Sequence, residues 1–381
     1  MSHAPSTALA ERHRRLRECL EREGLEALVV TASPNITYLT NFTGTSAIVV
    51  LTADRLLFLT DSRYTTVIEA SQAEAWACPG LVLVVVEGAY DGALAALLRE
   101  VDGRIGIEGQ HLTVNRFRWL ETKLQAGSEP RLIASEHLVE SLRVVKDAYE
   151  IAQLRTGGRM ISEVALRVFG EVHRGRTERD LGFAIDRIIR DAGFSKSAFD
   201  TIVASGPNAA LPHARPTERR LDEGDLVVLD FGGVYDSYCV DFTRTLSVGP
   251  ASARSREVHS AVRDAHDRAV AAVAPGGSRF AVDAAARESL AAAGMGDAFG
   301  HGTGHGLGLE IHEDPRVTRW RPDVDGRGER LETGMVLTIE PGAYFPSWGG
   351  VRIENDVLVT DEGRELLTNV TTELLDIDSW T

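Results

Sequence analysis

The most constraining feature of this 381-residue chain is a glycine-rich stretch at residues 300–313, GHGTGHGLGLEIHE. It contains five of the chain's 36 glycines and three of its eleven histidines, His301, His305 and His312. Glycine lets a backbone approach a neighbour or a ligand closely, and histidine offers a nitrogen that binds metals or exchanges protons near neutral pH. The stretch therefore indicates a functional site rather than a packing pattern.

Two aspartates upstream of this stretch are candidate metal ligands. Asp230 ends the apolar run LVVL, which predicts a buried strand, and a buried carboxylate needs a partner. Asp241 follows on a second predicted strand, and an antiparallel hairpin can bring the two aspartates together. Either aspartate alone is also compatible with a polar residue that is satisfied by hydrogen bonds or caps a turn.

Two glutamates downstream complete the candidate set. Glu340 closes a predicted strand at residues 336–339, and Glu354 lies in a predicted strand at residues 351–359. Four gathered carboxylates would repel one another and raise one another's pKa values, whereas two divalent cations would balance their charge. Together with His305, the four carboxylates predict a two-metal site if the fold brings them together.

Charge and composition exclude several classes of protein. A net charge of -15 disfavours nonspecific nucleic-acid binding, which needs Lys and Arg to neutralise phosphates. The longest apolar run, residues 81–86, is far shorter than the roughly 20 residues of a membrane-spanning helix, and the N-terminal segment carries charge where a signal peptide is apolar. The three cysteines, Cys19, Cys78 and Cys239, lack the spacing of a disulfide framework or zinc site. We therefore expect a soluble cytoplasmic protein.

The first part of the chain alternates short apolar runs with helical patterns. A helix is predicted at residues 9–23, with Gly24 placed to end it. Strands are predicted at residues 28–31, 47–51, 56–59, 81–86 and 105–107, and further helices near residues 65–75, 92–101 and 114–124. This alternation predicts an α/β domain. A change of pattern predicts a boundary near residue 140 and hence two domains, 1–140 and 141–381.

The second part combines longer helices with paired strands. Strands at residues 225–231 and 237–246 are separated by Gly232 and Gly233, which predicts a hairpin that turns at these glycines. The glycine pair at 157–158 interrupts a helical pattern and indicates either a kink or a close approach of another element, with the kink slightly favoured. Further helices are predicted at residues 254–273 and 279–293.

With these residues the chain resembles the pita-bread metallopeptidases, which include methionine aminopeptidase, aminopeptidase P and prolidase. Five blocks occur in the family's order: Asp230 in LDFGG, Asp241 in VDFTRT, His305 in GHGTGHGLGLEIHE, Glu340 in TIEPG and Glu354 in RIEND. The segments SPNITYLTNFTG and LLFLTDSRYTT resemble the N-terminal domain of the aminopeptidase P and prolidase branch. The resemblance implies an α/β (α+β) fold, with a C-terminal pita-bread catalytic domain and a smaller N-terminal creatinase/prolidase-type α/β domain.

The resemblance also implies a metal centre. Its ligands would be Asp230 on one ion, His305 and Glu340 on the other, and Asp241 and Glu354 on both. Two ions about 3.5 Å apart can hold a hydroxide between them and polarise a scissile carbonyl. A carboxylate-rich site favours manganese, and the histidine also tolerates cobalt, zinc or iron.

Five residues would act on the substrate by the same resemblance: His213 in LPHARP, His301, His312, Glu340 and Arg352. Glu340 would shuttle a proton, and His312 would lie near the developing oxyanion. For Arg352 the structural alternative is an ion pair that steadies the carboxylates. Members of this branch hydrolyse Xaa-Pro bonds, so the resemblance implies a proline-containing peptide or dipeptide as substrate, and a homodimer.

Other activities on the same fold remain open. Creatinase works without metal and lacks the ligand set, which disfavours it because all five ligand positions are present here. Metal-dependent hydrolases of small amide metabolites such as ectoine derivatives keep the ligands and differ in pocket residues. A pita-bread protein that only binds a partner is disfavoured by the intact ligand set.

Overall fold

The computed structural model describes residues 3–124, 131–322 and 329–377. The chain divides into two compact units, Met1–Arg143 and Val144–Thr381. The outer limits of the predicted domains, residues 1 and 381, lie outside the described residues. No helix in the described ranges combines the length and apolar character needed to cross a membrane.

The first unit is a mixed sheet with helices between its strands. Its elements are α1 (Ser6–Glu23), β1 (Ala27–Val30), α2 (Ser33–Thr40), β2 (Ile48–Thr52), β3 (Leu56–Thr60), α3 (Thr65–Ser71), β4 (Leu81–Val85), α4 (Tyr90–Leu98), β5 (Ile105–Glu108), α5 (Val114–Leu124), β6 (Leu132–Ser135) and α6 (Leu138–Val144). The strands lie in the order β4-β3-β2-β1-β5-β6. The predicted α/β class of this part is confirmed.

The burial of each strand agrees with its central or edge position in this sheet. Every residue of β1, β2 and β3 is buried, as expected for short apolar runs in the middle of a sheet. Strand β4, the predicted strand at residues 81–86, forms the edge of the sheet and is only partly buried. Helix α1 ends at Gly24, which adopts the left-handed conformation (φ 63°) that glycine accepts without strain.

A buried histidine of α1 links stability to pH. His13 Nε2 lies 2.7 Å from the Leu39 carbonyl, and burial lowers the pKa of His13 to about 4 despite this hydrogen bond. Between pH 6.5 and 4 the unfolded chain binds a proton that the folded chain does not, so acidification should cost about 3 kcal/mol of stability at this site. We expect His13→Gln to lose less unfolding free energy than the parent between pH 7 and 4.5. In urea melts an exposed control, His173→Gln, should follow the parent, and equal losses in His13→Gln would contradict the assignment.

The second unit contains, among its described residues, a four-stranded sheet, a five-stranded sheet, a separate two-stranded sheet and two helices of 22 and 20 residues. Its elements are α7 (Ala148–Phe169), α8 (Glu178–Asp191), β7 (Lys196–Ser197), β8 (Ile202–Ser205), a 3-10 turn (Gly206–Ala210), β9 (Leu226–Tyr235), β10 (Tyr238–Ser247), α9 (Ala253–Ala272), α10 (Arg279–Ala292), a second 3-10 turn (Gly296–Ala298), β11 (Gly304–Gly306), β12 (Glu313–Val317), β13 (Val336–Ile339), β14 (Gly342–Phe345), β15 (Gly349–Arg352), β16 (Asn355–Thr360) and β17 (Gly363–Leu366). Strands β7 and β8 pair with β9 of the β9–β10 hairpin, and β12-β11-β13-β16-β17 form a second sheet. The helices predicted at residues 254–273 and 279–293 are α9 and α10.

The β9–β10 hairpin is confirmed, but its turn is not where the glycines predicted it. The turn lies at Asp236 and Ser237, which both adopt positive φ angles of 44° and 74°. Gly232 and Gly233 lie inside β9, where a Cβ atom would stand 2.3 Å from the Val240 carbonyl oxygen and 2.5 Å from the Phe194 ring. These glycines do not make the turn. They allow Val240 of β10 and the Phe194 ring to pack closely against β9.

The glycine pair of α7 also serves close packing. The helix continues through Gly157 and Gly158 from Ala148 to Phe169. A Cβ atom on Gly158 would lie 2.4 Å from the Leu367 carbonyl oxygen, and one on Gly157 would lie 2.9 Å from Val240. Of the two interpretations, the close approach is the one that is confirmed.

The strand predicted at residues 351–359 is two strands. It is interrupted between Arg352, which ends β15, and Asn355, which begins β16. β15 pairs with β14, whereas β16 pairs with β13 and β17, so the chain passes from one sheet to another at this break. Glu354 lies in this break, outside both strands.

Candidate metal centre and active site

The β9–β10 hairpin brings Asp230 and Asp241 to the same side of its sheet. Asp230 pairs with Thr243, and Asp241 lies two residues before Thr243 on the neighbouring strand. Because side chains alternate along a strand, positions two apart face the same side, and a diagonal cross-strand pair lies about 7–8 Å apart at Cα. Asp241 is buried, and its backbone N–H donates to Asp356 Oδ2 at 3.0 Å.

Glu354 is held against the same hairpin. Its backbone N–H donates to the Thr243 carbonyl at 3.1 Å, and the Thr243 hydroxyl donates to Glu354 Oε2 at 2.7 Å. The other carboxylate oxygen, Oε1, is buried without a hydrogen-bond partner among the described residues. A buried carboxylate oxygen left in this state is costly unless a cation or proton occupies the space before it.

His305 presents its second nitrogen to this cluster. Its Nδ1 lies 2.9 Å from the Gly306 carbonyl, which favours the tautomer with the proton on Nδ1. The lone pair on Nε2 then faces Asp241 Oδ2 at 3.8 Å and Glu340 Oε1 at 3.5 Å. Burial lowers the pKa of His305 to about 3, so the ring is neutral at pH 7. An imidazole whose outer N–H is fixed by a backbone carbonyl is the usual form of a metal-binding histidine.

The gathered carboxylates of this cluster would be stabilised by positive charge. One ligand atom from each of Asp241, His305 and Glu354 lies within 4.8 Å of the others. Burial, followed by the neighbouring carboxylates, raises the pKa of Asp241 and of Glu340 well above the usual range. Burial and then Asp230 raise the pKa of Glu354 to about 8. The residues therefore fit divalent cations, which would offset this repulsion and occupy the space before Glu354 Oε1.

All of the site residues predicted from the sequence line one cavity of about 660 Å³ in the second unit: His213, Asp230, Asp241, His301, His305, His312, Glu340, Arg352 and Glu354. The cavity has the size of a small-molecule or short-peptide site. The fold thus brings together segments that are up to 141 positions apart, from residue 213 to residue 354.

Arg352 joins the acidic cluster to an aromatic residue that the sequence did not single out. Its Nη2 donates to Asp230 Oδ2 at 2.5 Å, and its Nη1 donates to the Tyr344 hydroxyl at 2.8 Å. The Tyr344 oxygen lies 2.9 Å from His301 Nε2, and His301 Nδ1 lies 2.7 Å from the Gly302 carbonyl. Burial raises the pKa of Tyr344 to about 12 and lowers the pKa of His301 to about 4, so both groups are neutral at pH 7.

The other two predicted histidines differ from His301 in having no protein hydrogen-bond partner in the described part of the chain. His312 packs its ring edge to face against His305, with the ring centroids 4.4 Å apart. Burial lowers the pKa of His312, although its side chain is open to the cavity. His213 is exposed at the cavity wall. Their nitrogens are available to a ligand, whereas both nitrogens of His301 are already engaged.

Sequence reasoning missed several residues of this cavity. Tyr344 and Thr243 hydrogen-bond directly to predicted site residues, and Arg215 and Arg316 line the wall. Tyr344 follows the TIEPG block and Thr243 belongs to VDFTRT, so a search of the blocks for further hydrogen-bonding groups could have found them. Arg215 likewise belongs to LPHARP, two residues after His213, whereas no comparable signal marks Arg316 among the chain's 41 lysines and arginines.

Family comparison identifies the class of the protein. Residues 152–361 match metallopeptidase family M24, and residues 12–145 match the creatinase/prolidase N-terminal domain. The chain belongs to the M24 metallopeptidase family. The predicted resemblance to the pita-bread enzymes of the aminopeptidase P and prolidase branch is therefore confirmed, together with the α/β fold class that it implied.

Individual relatives match the chain over nearly its full length. The peptidase YqhT of Bacillus subtilis is 34% identical over 95% of this chain and 98% of its own. An Xaa-Pro dipeptidase of Pyrococcus furiosus is 32% identical over 96% of this chain and 100% of its own. Among solved structures, an Xaa-Pro dipeptidase from Bacillus anthracis superposes with a TM-score of 0.89 and 34% identity, covering 97% of this chain and 99% of that one. An X-Pro aminopeptidase from Thermotoga maritima superposes with a TM-score of 0.83 and 31% identity, covering 93% of this chain and 99% of that one.

Proposed function

We propose that this protein is an exopeptidase that uses two divalent cations to hydrolyse Xaa-Pro bonds. The observation that carries the proposal is the buried cluster of Asp241, His305 and Glu354, whose ligand atoms converge and whose Glu354 Oε1 has no protein partner among the described residues. The substrate class rests on relatives that are Xaa-Pro dipeptidases and an X-Pro aminopeptidase.

The proposed ligands divide between two ions. Asp230 would bind one ion, His305 and Glu340 the other, and Asp241 and Glu354 both. We propose manganese because four of the five ligands are carboxylates, while cobalt, zinc or iron would also suit a site with one imidazole. When bound, two such ions supply a nucleophilic hydroxide at neutral pH and polarise the carbonyl of the scissile bond.

The side chains around the ions have separate tasks. Arg352 holds Asp230 through its 2.5 Å contact, so it fixes the orientation of a ligand besides facing the substrate. His312 and His213 can donate hydrogen bonds to the substrate because no protein partner among the described residues occupies them. A donor that faces the carbonyl oxygen contributes most when negative charge develops there, and we assign this role to His312. His301 would contact the substrate through its ring, since its nitrogens are engaged.

Cleavage of an Xaa-Pro bond also requires a proton for the leaving nitrogen. The leaving nitrogen of any amide must gain a proton to depart as an amine, and this holds for the proline nitrogen of an Xaa-Pro bond, a tertiary amide that has no N–H of its own. Glu340 lies at the cavity wall 3.5 Å from His305 Nε2, and we propose that its carboxyl group delivers this proton. An enzyme that needs no hydrogen bond from the substrate amide can accept the proline ring there.

Two arginines on the cavity wall favour a short substrate. Arg215 and Arg316 are exposed, and neither guanidinium has an ion-pair partner among the described residues. A dipeptide carries its terminal carboxylate close to the scissile bond, and a guanidinium recognises a carboxylate through paired hydrogen bonds. We therefore propose a dipeptidase in preference to an aminopeptidase for long peptides.

Arg316→Gln should reveal this recognition. We expect the variant to lose about 10- to 100-fold in kcat/KM for an Xaa-Pro dipeptide, because a hydrogen bond to a charged group contributes about 1.5–3 kcal/mol. The same dipeptide with an amidated C-terminus should be cleaved equally by parent and variant. A matched control, Arg155→Gln, removes an arginine that pairs with Glu365 outside the cavity and should change neither substrate. Equal losses on the acid and the amide would contradict the assignment.

Hydrolysis of a matched substrate set tests the proposed function. The set comprises an Xaa-Pro dipeptide, an Xaa-Pro-Yaa tripeptide and an Xaa-Ala dipeptide, given to chelated protein and to protein reloaded with manganese. We expect metal-dependent cleavage of the Xaa-Pro dipeptide and much slower cleavage of the other two. Cleavage of the tripeptide alone would make the protein an aminopeptidase. If the manganese-loaded protein cleaved neither proline substrate, the proposal would be rejected and a small amide metabolite would be favoured as the substrate.

We further propose that the protein is a cytoplasmic homodimer. The dimer rests on resemblance to the aminopeptidase P and prolidase branch, and the compartment on three buried free thiols at Cys19, Cys78 and Cys239. Light scattering on the purified protein tests the first statement, since a monomer mass near 41.4 kDa would contradict it.

A further inference from the structure

A threonine inside the glycine-rich stretch connects the ligand-bearing segments to one another. Thr303 is fully buried between His301 and His305. Its carbonyl accepts from the Glu340 backbone N–H at 2.7 Å, which joins the two segments that carry His305 and Glu340. Its own N–H donates to the Val317 carbonyl of β12 at 2.8 Å and, at the longer distance of 3.2 Å, to Asp283 Oδ1. Its hydroxyl donates to Asp283 Oδ1 at 2.8 Å. Every polar group of Thr303 is therefore engaged in the support of this region.

Asp283 is itself fixed on α10. Arg287, one helical turn later, donates to Asp283 Oδ2 from Nε at 2.6 Å and to Oδ1 from Nη2 at 3.0 Å. Arg287 also donates to the carbonyls of Phe299, at 3.1 Å, and His301. The Asp283 side chain is buried, with 1% of its surface exposed, and the Arg287 side chain is mostly buried, with 15% exposed. A bidentate pair at such a site has one well-defined geometry.

The backbone next to Thr303 has little freedom to adjust. A Cβ atom on Gly304 would lie 1.9 Å from the Thr338 carbonyl oxygen, so this part of β11 lies directly against β13. The Thr338 hydroxyl accepts from the His305 backbone N–H at 3.1 Å. A displacement at Thr303 would therefore be transmitted to His305 and, through the carbonyl contact, to Glu340.

We infer that Thr303, anchored by the Asp283–Arg287 pair, is a positioning residue for the metal ion that His305 and Glu340 would bind. This inference rests on the two-metal centre of the proposed function, not on the identity of the substrate. Thr303 does not bind the ion. It sets the spacing of two ligands that come from different segments of the chain, in the way that residues behind a metal site orient its ligands.

Substitution of the threonine hydroxyl separates this role from general stability. Thr303→Val keeps the shape of the side chain and removes the 2.8 Å bond to Asp283, and Thr303→Ser restores it. The first unit offers a control, because Thr31 is buried and its N–H and hydroxyl donate to one carboxylate oxygen, Glu108 Oε2, at 2.6 and 3.0 Å. The Thr31 hydroxyl also lies 2.9 Å from His111 Nδ1. Thr31→Val removes the same kind of bond outside the catalytic unit.

The readout is manganese affinity, measured by titrating metal-free protein against a competing chelator. We expect Thr303→Val to bind one of two ions about tenfold or more weakly and to bind the other like the parent. Thr303→Ser and Thr31→Val should match the parent within about twofold. If Thr303→Val does not fold, Asp283→Asn carries the test and should weaken the same ion, because it discharges the anchor and keeps an oxygen acceptor.

Two results would overturn the inference: parental affinity for both ions in the folded variant, or an equal loss in Thr303→Val and Thr31→Val. The affinities do not depend on a peptide substrate. If the parent binds two ions but cleaves no Xaa-Pro peptide, the proposed substrate fails while the positioning role is still decided by the variants.

Discussion

Glu354→Gln is expected to abolish peptide hydrolysis and the binding of one metal ion. The substitution keeps the size of the side chain and an acceptor for the Thr243 hydroxyl, but removes the charge that we propose both ions share. Loss of the transition-state stabilisation that a catalytic metal supplies is worth several kcal/mol, so kcat/KM should fall by about a thousandfold or more. Metal content by mass spectrometry and hydrolysis rates on the same preparation measure both effects.

In the metal-free protein, Glu354→Gln should not reduce the stability of the fold. Burial and the neighbouring Asp230 raise the pKa of Glu354, so its charge destabilises the folded protein when no cation is present. Glu354→Gln without metal should therefore be at least as stable as the metal-free parent, while the stabilisation that manganese gives the parent should shrink. Glu365→Gln, outside the cavity, should leave metal binding and rate unchanged. Full activity in Glu354→Gln, or two tightly bound ions, would refute its role as a shared ligand.

His312→Ala is expected to lower turnover with little change in metal content. The His312 ring packs against His305, but no described protein group hydrogen-bonds to its nitrogens, so we assign it to the substrate and not to the ions. Removal of a single donor to a developing oxyanion typically costs about 10²- to 10³-fold in kcat. KM should change much less, because the interaction strengthens only as the transition state forms.

The control for this variant is His173→Ala, which removes an exposed histidine of the same unit away from the cavity. It should retain parental kcat, KM and metal content. If His312→Ala instead lost metal and kept its turnover per bound ion, His312 would be a ligand and the division of roles would be wrong.

The sequence was most informative where chemistry and local pattern coincide. Asp230 and Asp241 could be assigned to one hairpin from two apolar runs, and the strand register of that hairpin confirms that both face one side. The convergence of Glu340 and Glu354 on that hairpin could not follow from spacing, because they are more than 90 residues away. That expectation came from the order of the five blocks and the family that they resemble.

Other features depend on packing between distant segments and were missed or misplaced. Gly232 and Gly233 have the composition of a turn, yet they lie inside strand β9, where Val240 and Phe194 leave no room for a side chain. The break at Glu354 arises because the flanking strands pair with different partners, which no local pattern encodes. Asp283 precedes Thr303 by 20 residues on a helix, so its hydrogen bonds could be identified only in three dimensions.

The central claim is a two-metal centre, and its most direct measurement is the number of manganese ions bound per chain by chelated and reloaded protein. Isothermal titration with metal analysis of the dialysed product would give this number without any assumption about substrate. We predict two ions per chain in the parent and no more than one tightly bound ion in Glu354→Gln. A parent that binds one ion or none, at manganese concentrations that support full peptidase activity, would contradict the account.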